Sequence, residues 1–126
     1  MTSSAAPTGD GAPRALRFLK KRSDFLALRS GPKAGTPAFV LVKRRRDDGS
    51  ADIRVGLTVT KKLGGAVVRN RMKRRLREVC RAVFPDHGEA GCDYVLIARP
   101  AAETRVFVLL LDDLKRALLT LAHAAT

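Results

Sequence analysis

The residues with the most evident chemistry lie between Lys61 and Arg81, where nine Lys and Arg accompany a single acid, Glu78, for a charge of +8 in one sixth of the chain. From Ala66 to Phe84 neither Gly nor Pro interrupts. Val68, Met72, Leu76, Val79 and Val83 recur at steps of four, four, three and four, which places them in one apolar stripe on a helix. Asn70, Arg74, Arg77 and Arg81 project opposite that stripe with Lys73 beside them, and Arg69, Arg71 and Arg75 flank it. A solvated helix face normally mixes charges to gain i,i+4 pairs. Here like charges crowd one another, a cost recovered when phosphates neutralise them and counterions are released. Gly64-Gly65 breaks the chain ahead of the helix. The free amides of its first turn, beside Lys61 and Lys62, make a positive corner of phosphate size.

No other cluster has the types and spacing of an active site. His87, in Pro-Asp-His-Gly, and His123 are the only histidines, and neither has an acid or a nucleophile at useful spacing. Asp47-Asp48-Gly49-Ser50 reads as a turn rather than a metal site. Cys80 and Cys92 show neither a Cys-x-x-Cys pattern nor His at ligand spacing, so they are expected to be reduced packing residues of a cytoplasmic protein. No metal or cofactor is expected on the protein.

The whole chain, 126 residues with a net charge of +13, has the length for one hydrophobic core. Such a charge calls for a polyanionic partner. A membrane is the poorer fit, since no apolar run approaches the roughly 20 residues of a spanning helix and no lipidation motif occurs. Aromatics make up only 5% of the residues and Trp is absent, so base stacking cannot be the main source of affinity. Met1 to Pro13, rich in Ser, Thr, Gly and Pro, is expected to be a flexible tail, with one domain over 14–126.

The elements that must position the basic helix follow from local pattern. Ser23 is expected to cap a short helix through Arg29 that Gly31 ends in a left-handed conformation. Phe39 to Val42 reads as a strand continued by Lys43 to Arg46 into the turn, so a hairpin with the next strand is expected. In that strand Ile53, Val55, Leu57 and Val59 alternate with Arg54, Gly56, Thr58 and Thr60. Pro85 and Gly88 should close the basic helix. Tyr94 to Ala98 has the continuous bulk of an interior strand covered on both faces. Leu111, Leu114, Leu118 and Leu121 recur at helical spacing in a last helix ending near Ala122. The sum is an α+β sandwich.

Read as a string, Lys61-Lys62-Leu63-Gly64-Gly65-Ala66-Val67-Val68-Arg69-Asn70-Arg71-Met72-Lys73-Arg74 resembles the signature of the bacterial ribonuclease P protein family, including its Arg-Asn-Arg motif. Arg54 to Val59, Asp93 to Arg99, Leu19-Lys20-Lys21 and Asp24-Phe25 extend the likeness over roughly Arg17 to Leu121. The resemblance implies a two-layer αβββαβα sandwich in which a fourth strand joins the three that are clear. It also implies a left-handed crossover around the basic helix, where general rules favour the right-handed form.

Functionally it implies a protein subunit that binds a catalytic RNA and the 5′ leader of precursor tRNA, with the magnesium ions and the hydrolysis belonging to the RNA. Arg69, Arg71 and Arg74 would face the RNA subunit, with Lys61, Lys62 and Arg81 on the same RNA surface. Asn70, Lys73 and Arg77, opposite Phe25 and Phe39, would line a leader cleft. Arg29 and Val42 stand where the family can carry further aromatics, so leader contact here is expected to rest on charge and shape. The alternatives are a ribosomal-type RNA-binding protein and a DNA-binding regulator. The latter is disfavoured because only Asn70 on the outward face suits bidentate base readout.

Overall fold

The computed structural model describes residues 15–122. The expected tail, Met1 to Pro13, and His123 lie outside the described residues. In chain order the elements are β1 (Leu16–Phe18), α1 (Arg22–Ala27), β2 (Lys33–Gly35), β3 (Phe39–Arg45), β4 (Ile53–Thr58), a 3-10 turn (Lys61–Leu63), α2 (Ala66–His87), β5 (Cys92–Ala98), a second 3-10 turn (Pro100–Ala102) and α3 (Phe107–Ala122). The strands form one mixed sheet in the order β1-β4-β5-β3-β2. The main core lies between this sheet and α2 with α3. A smaller cluster of Leu28, Val42 and Val95 lies on the other face under α1. This is the expected α+β sandwich with two short edge strands, β1 and β2, that carry too few residues for an alternating pattern to announce them.

The expected hairpin does not form. β3 and β4 are separated by β5, which pairs antiparallel with β3 and parallel with β4. The reason is electrostatic as well as apolar. Asp93, near the start of β5, is fully buried, and its carboxylate accepts from Arg46 Nη1 at 2.8 Å and from Arg54 Nε and Nη2 at 2.8 and 2.7 Å. Arg46 also donates to the carbonyls of Cys92, Ser50 and Asp52 and to the Asp48 carboxylate, so one guanidinium organises the whole β3–β4 connection. Burial by itself would raise the Asp93 pKa, but the hydrogen bonds from Arg54 and Arg46 outweigh it and hold the carboxyl below its ordinary value.

Three local expectations are corrected. Ser23 does not cap α1: the extended N-cap residue is Lys21, and the helix is set by its packing, with Phe25 over Gly56 and Leu28 in the cluster with Val42 and Val95. Gly31 is not left-handed. It is required because a Cβ there would lie 2.1 Å from the Lys43 carbonyl oxygen. Pro85 does not end α2, which runs on to His87. Burial of Phe84, whose ring lies 4.8 Å from that of Tyr94, holds the last turn, and the Gly88 amide donates to the Phe84 carbonyl.

Because the folded pKa of Asp93 is depressed, its contribution to stability is complete above the unfolded carboxyl value, about 3.9, and is lost as pH falls through the folded value. Asp93→Ala, which removes the buried carboxylate shared by Arg46 and Arg54, is expected to cost about 3–5 kcal/mol in urea unfolding at neutral pH. A cost below about 1 kcal/mol would contradict the role given to this network.

Candidate RNA interface

α2 is positioned by its stripe: Met72, Leu76, Val79 and Val83 are buried as the spacing requires, Val68 is partly buried, and Cys80 and Phe84 widen the contact. Cys80 and Cys92 are both buried free cysteines, and burial pushes the Cys80 thiol far above its usual range, which makes it unreactive. With the stripe on the sheet, the cations project outward. Lys61, Lys62, Asn70, Arg74 and Arg77 are exposed and Lys73 is half-buried. No side chain of these six makes a hydrogen bond or ion pair among the described residues.

The other basic groups of the segment are engaged within the fold. Arg69 Nε donates to the Gly64 carbonyl at 3.1 Å, which fixes the turn ahead of α2. Arg71 Nη1 donates to Glu103 Oε2 at 2.7 Å, and Arg75 Nη2 donates to the Arg105 carbonyl, so two arginines one turn apart fasten the segment ahead of α3 to α2. Arg81 pairs with Glu78 at 2.9 Å and lies 5.6 Å from the centre of the Phe18 ring, bracing α2 against β1. Elsewhere Lys43 is buried and donates to Glu89 at 2.6 Å, with the Leu121 carbonyl at 3.5 Å. Sequence reasoning missed that Lys43 and Arg46 are internal cations. Their signal, two acids forty or more residues away in Glu89 and Asp93, is visible only once the sheet order is known.

The leader cleft expected from Phe25, Phe39, Asn70, Lys73 and Arg77 is not assembled as one site. Phe39 is fully buried in the main core, because residues of its parity in β3 face α2 and α3. Phe25 lies on the opposite sheet face, against Gly56, where a Cβ would lie 2.5 Å from the Phe25 ring. The outward arc of α2 therefore cannot share a cleft with Phe25. Next to Phe25 on that face, Val40, Thr58 and Ile97 are half-buried and align on adjacent strands, leaving a strip of sheet that α1 does not fully cover. Val42, in the position where the family can carry an aromatic, is instead buried with Leu28, and Arg29 is exposed. Among the described residues no group of His, Cys, Asp or Glu could hold a metal ion, and no helix is long and apolar enough to cross a membrane.

Residues 14–122 match the family model described as Ribonuclease P. This chain belongs to the ribonuclease P protein family. It is 50% identical over 113 residues to the ribonuclease P protein component of Caulobacter vibrioides, covering 88% of this chain and 76% of that one. It is 51% identical over 109 residues to that of Ruegeria pomeroyi, covering 85% and 87%. The ribonuclease P protein from Thermotoga maritima superposes with a TM-score of 0.66 at 31% identity, covering 86% of this chain and 97% of that one. The Staphylococcus aureus protein does so at 0.68 and 29%, covering 84% and 94%. The ribosomal-type and DNA-regulator alternatives give way to this family.

The contact between Phe25 and Gly56 is testable. Gly56→Ala is expected to cost about 1–3 kcal/mol through overpacking, and to be close to neutral in a Phe25→Ala background. Equal costs in the two backgrounds, measured by urea unfolding, would show that α1 is not seated on Gly56.

Proposed function

We propose that this chain is the protein subunit of ribonuclease P, binding a catalytic RNA and the 5′ leader of precursor tRNA so that the leader is removed and the mature 5′ end is formed. The observation that carries the reading is the outward face of α2 with its preceding turn: Lys61, Lys62, Asn70, Lys73, Arg74 and Arg77 have no side-chain partner among the described residues, yet they are held together by a helix whose other side is buried. Each cation set against a phosphate oxygen releases counterions, so this face supplies affinity and orientation without reading sequence. Arg69, Arg71 and Arg81, pinned by Gly64, Glu103 and Glu78, stand at its margins with their guanidinium groups already oriented.

The RNA subunit is assigned to this α2 face. The leader is assigned to the opposite sheet face, where Phe25, Val40 and Ile97 offer apolar contact and Lys20, Lys21 and Arg29 are exposed at the margin. This moves the leader away from Asn70, Lys73 and Arg77. The protein thereby holds two RNA strands apart by the combined thickness of its sheet and α2. Hydrolysis and its magnesium ions belong to the RNA subunit, and the protein works in the cytoplasm where precursor tRNA is made.

Two measurements test the reading. Added to ribonuclease P RNA at low magnesium, the protein is expected to restore leader removal while cleaving nothing alone; failure to restore it would overturn the assignment. Arg74→Ala is expected to weaken binding to that RNA and to lower the slope of log affinity against log salt by about 0.9. An unchanged slope would remove Arg74 from the interface.

A further inference from the structure

The buried stripe of α3 runs one turn past the core. Leu110 and Leu114 are fully buried, and Phe107, the first residue of α3, shares their side of the helix by the i+3 and i+7 spacings yet is 39% exposed, while Val106, just ahead of the helix, is 62% exposed. The Val106 carbonyl accepts from Leu110, so the first turn is formed and its apolar side chains are held out rather than frayed. This turn is joined directly to the basic helix, because Arg75 donates to the carbonyl of Arg105, the residue before Val106, and Arg71 pairs with Glu103 two residues earlier. Val67, one turn before Arg71 on the same edge of α2, is 73% exposed. An apolar step therefore borders the cationic face, with an aromatic ring in it and the half-exposed Arg71 guanidinium at its rim.

We infer that this step, centred on Phe107, is a nucleobase-binding surface for the RNA partner, on which an unpaired base stacks while its flanking phosphates meet Arg71 and the α2 face. The inference rests on the reading of α2 as an RNA interface. Charge selects the occupant. A second copy of this chain would bring its own +13 against the same cationic edge, whereas single-stranded RNA supplies a flat apolar face and negative charge a few ångströms apart. Glu103 holds one edge of the Arg71 guanidinium and leaves the rest of the fork for an anion.

The test is equilibrium binding of the full chain to ribonuclease P RNA across a potassium chloride series, with a melt recorded for each variant. Phe107→Ala is expected to weaken binding about tenfold without changing the salt slope, because stacking releases no counterions. Phe107→Tyr should keep wild-type affinity, and Val106→Ser, at an exposed position ahead of α3 that tolerates Ser as a cap, should weaken binding without lowering the melt. Wild-type affinity in Val106→Ser and Phe107→Ala, while the wild-type protein keeps a steep salt slope, would overturn the inference and leave the α2 interface standing. Absence of a steep slope in the wild type would overturn the α2 reading and this inference with it. A concentration-dependent dimer that Val106→Ser abolishes would give the surface to a second copy and would also overturn it.

Discussion

Everything the protein can offer a polyanion depends on the burial of one stripe of α2 against the sheet. Met72, Leu76, Val79, Cys80, Val83 and Phe84 leave water there, each large side chain contributing about 1.5–3 kcal/mol. That contribution is set against the repulsion among eight net positive charges carried by the same segment and its turn. Were the helix held only by its own propensity, these charges would disfavour it. Held by packing, it becomes a rigid rod that presents cations at fixed intervals. That Lys73, Arg74 and Arg77 have no ion-pair partner among the described residues is then a property that the core sustains.

A second constraint fixes what the stripe packs on. β5 enters between β3 and β4, and its start brings the buried carboxylate of Asp93 to Arg46 and Arg54. The basic residues thus divide into two populations that composition cannot separate. Lys43, Arg46 and Arg54 serve the fold through Glu89 and Asp93, and the α2 cations face outward. A third group, Arg69, Arg71, Arg75 and Arg81, is engaged within the fold by Gly64, Glu103, Arg105 and Glu78.

Legibility in the sequence follows the range of the interactions involved. The register of α2 is local, and the spacing from Val68 to Val83 picked out Met72, Leu76, Val79 and Val83 but not Cys80 and Phe84, while alternation from Ile53 to Val59 identified the core-facing side of β4 but not the burial of Gly56 on its other side. The motif from Lys61 to Arg74 led to the family that the comparisons show. The hairpin and the cleft were misplaced for different reasons. Arg46 and Arg54 look like neighbours across a turn, but their common partner lies 47 and 39 residues further on. Phe39 and Phe25 fall on opposite faces of the sheet because the parity of Phe39 in β3 turns it toward α2 and α3, whereas α1 packs on the other side. The end of α2 misled for a related reason: Pro85 is a local stop signal, and the packing of Phe84 on Tyr94 is a tertiary one that overrides it.

The central claim, that the outward side of α2 and its preceding turn is covered by RNA, is tested most directly by lysine acetylation followed by mass spectrometry, in the free protein and bound to ribonuclease P RNA. Lys61, Lys62 and Lys73 should lose reactivity on binding, while Lys115, exposed on α3, should react equally in both states. Undiminished acetylation of all three α2-side lysines in the bound protein would contradict the account.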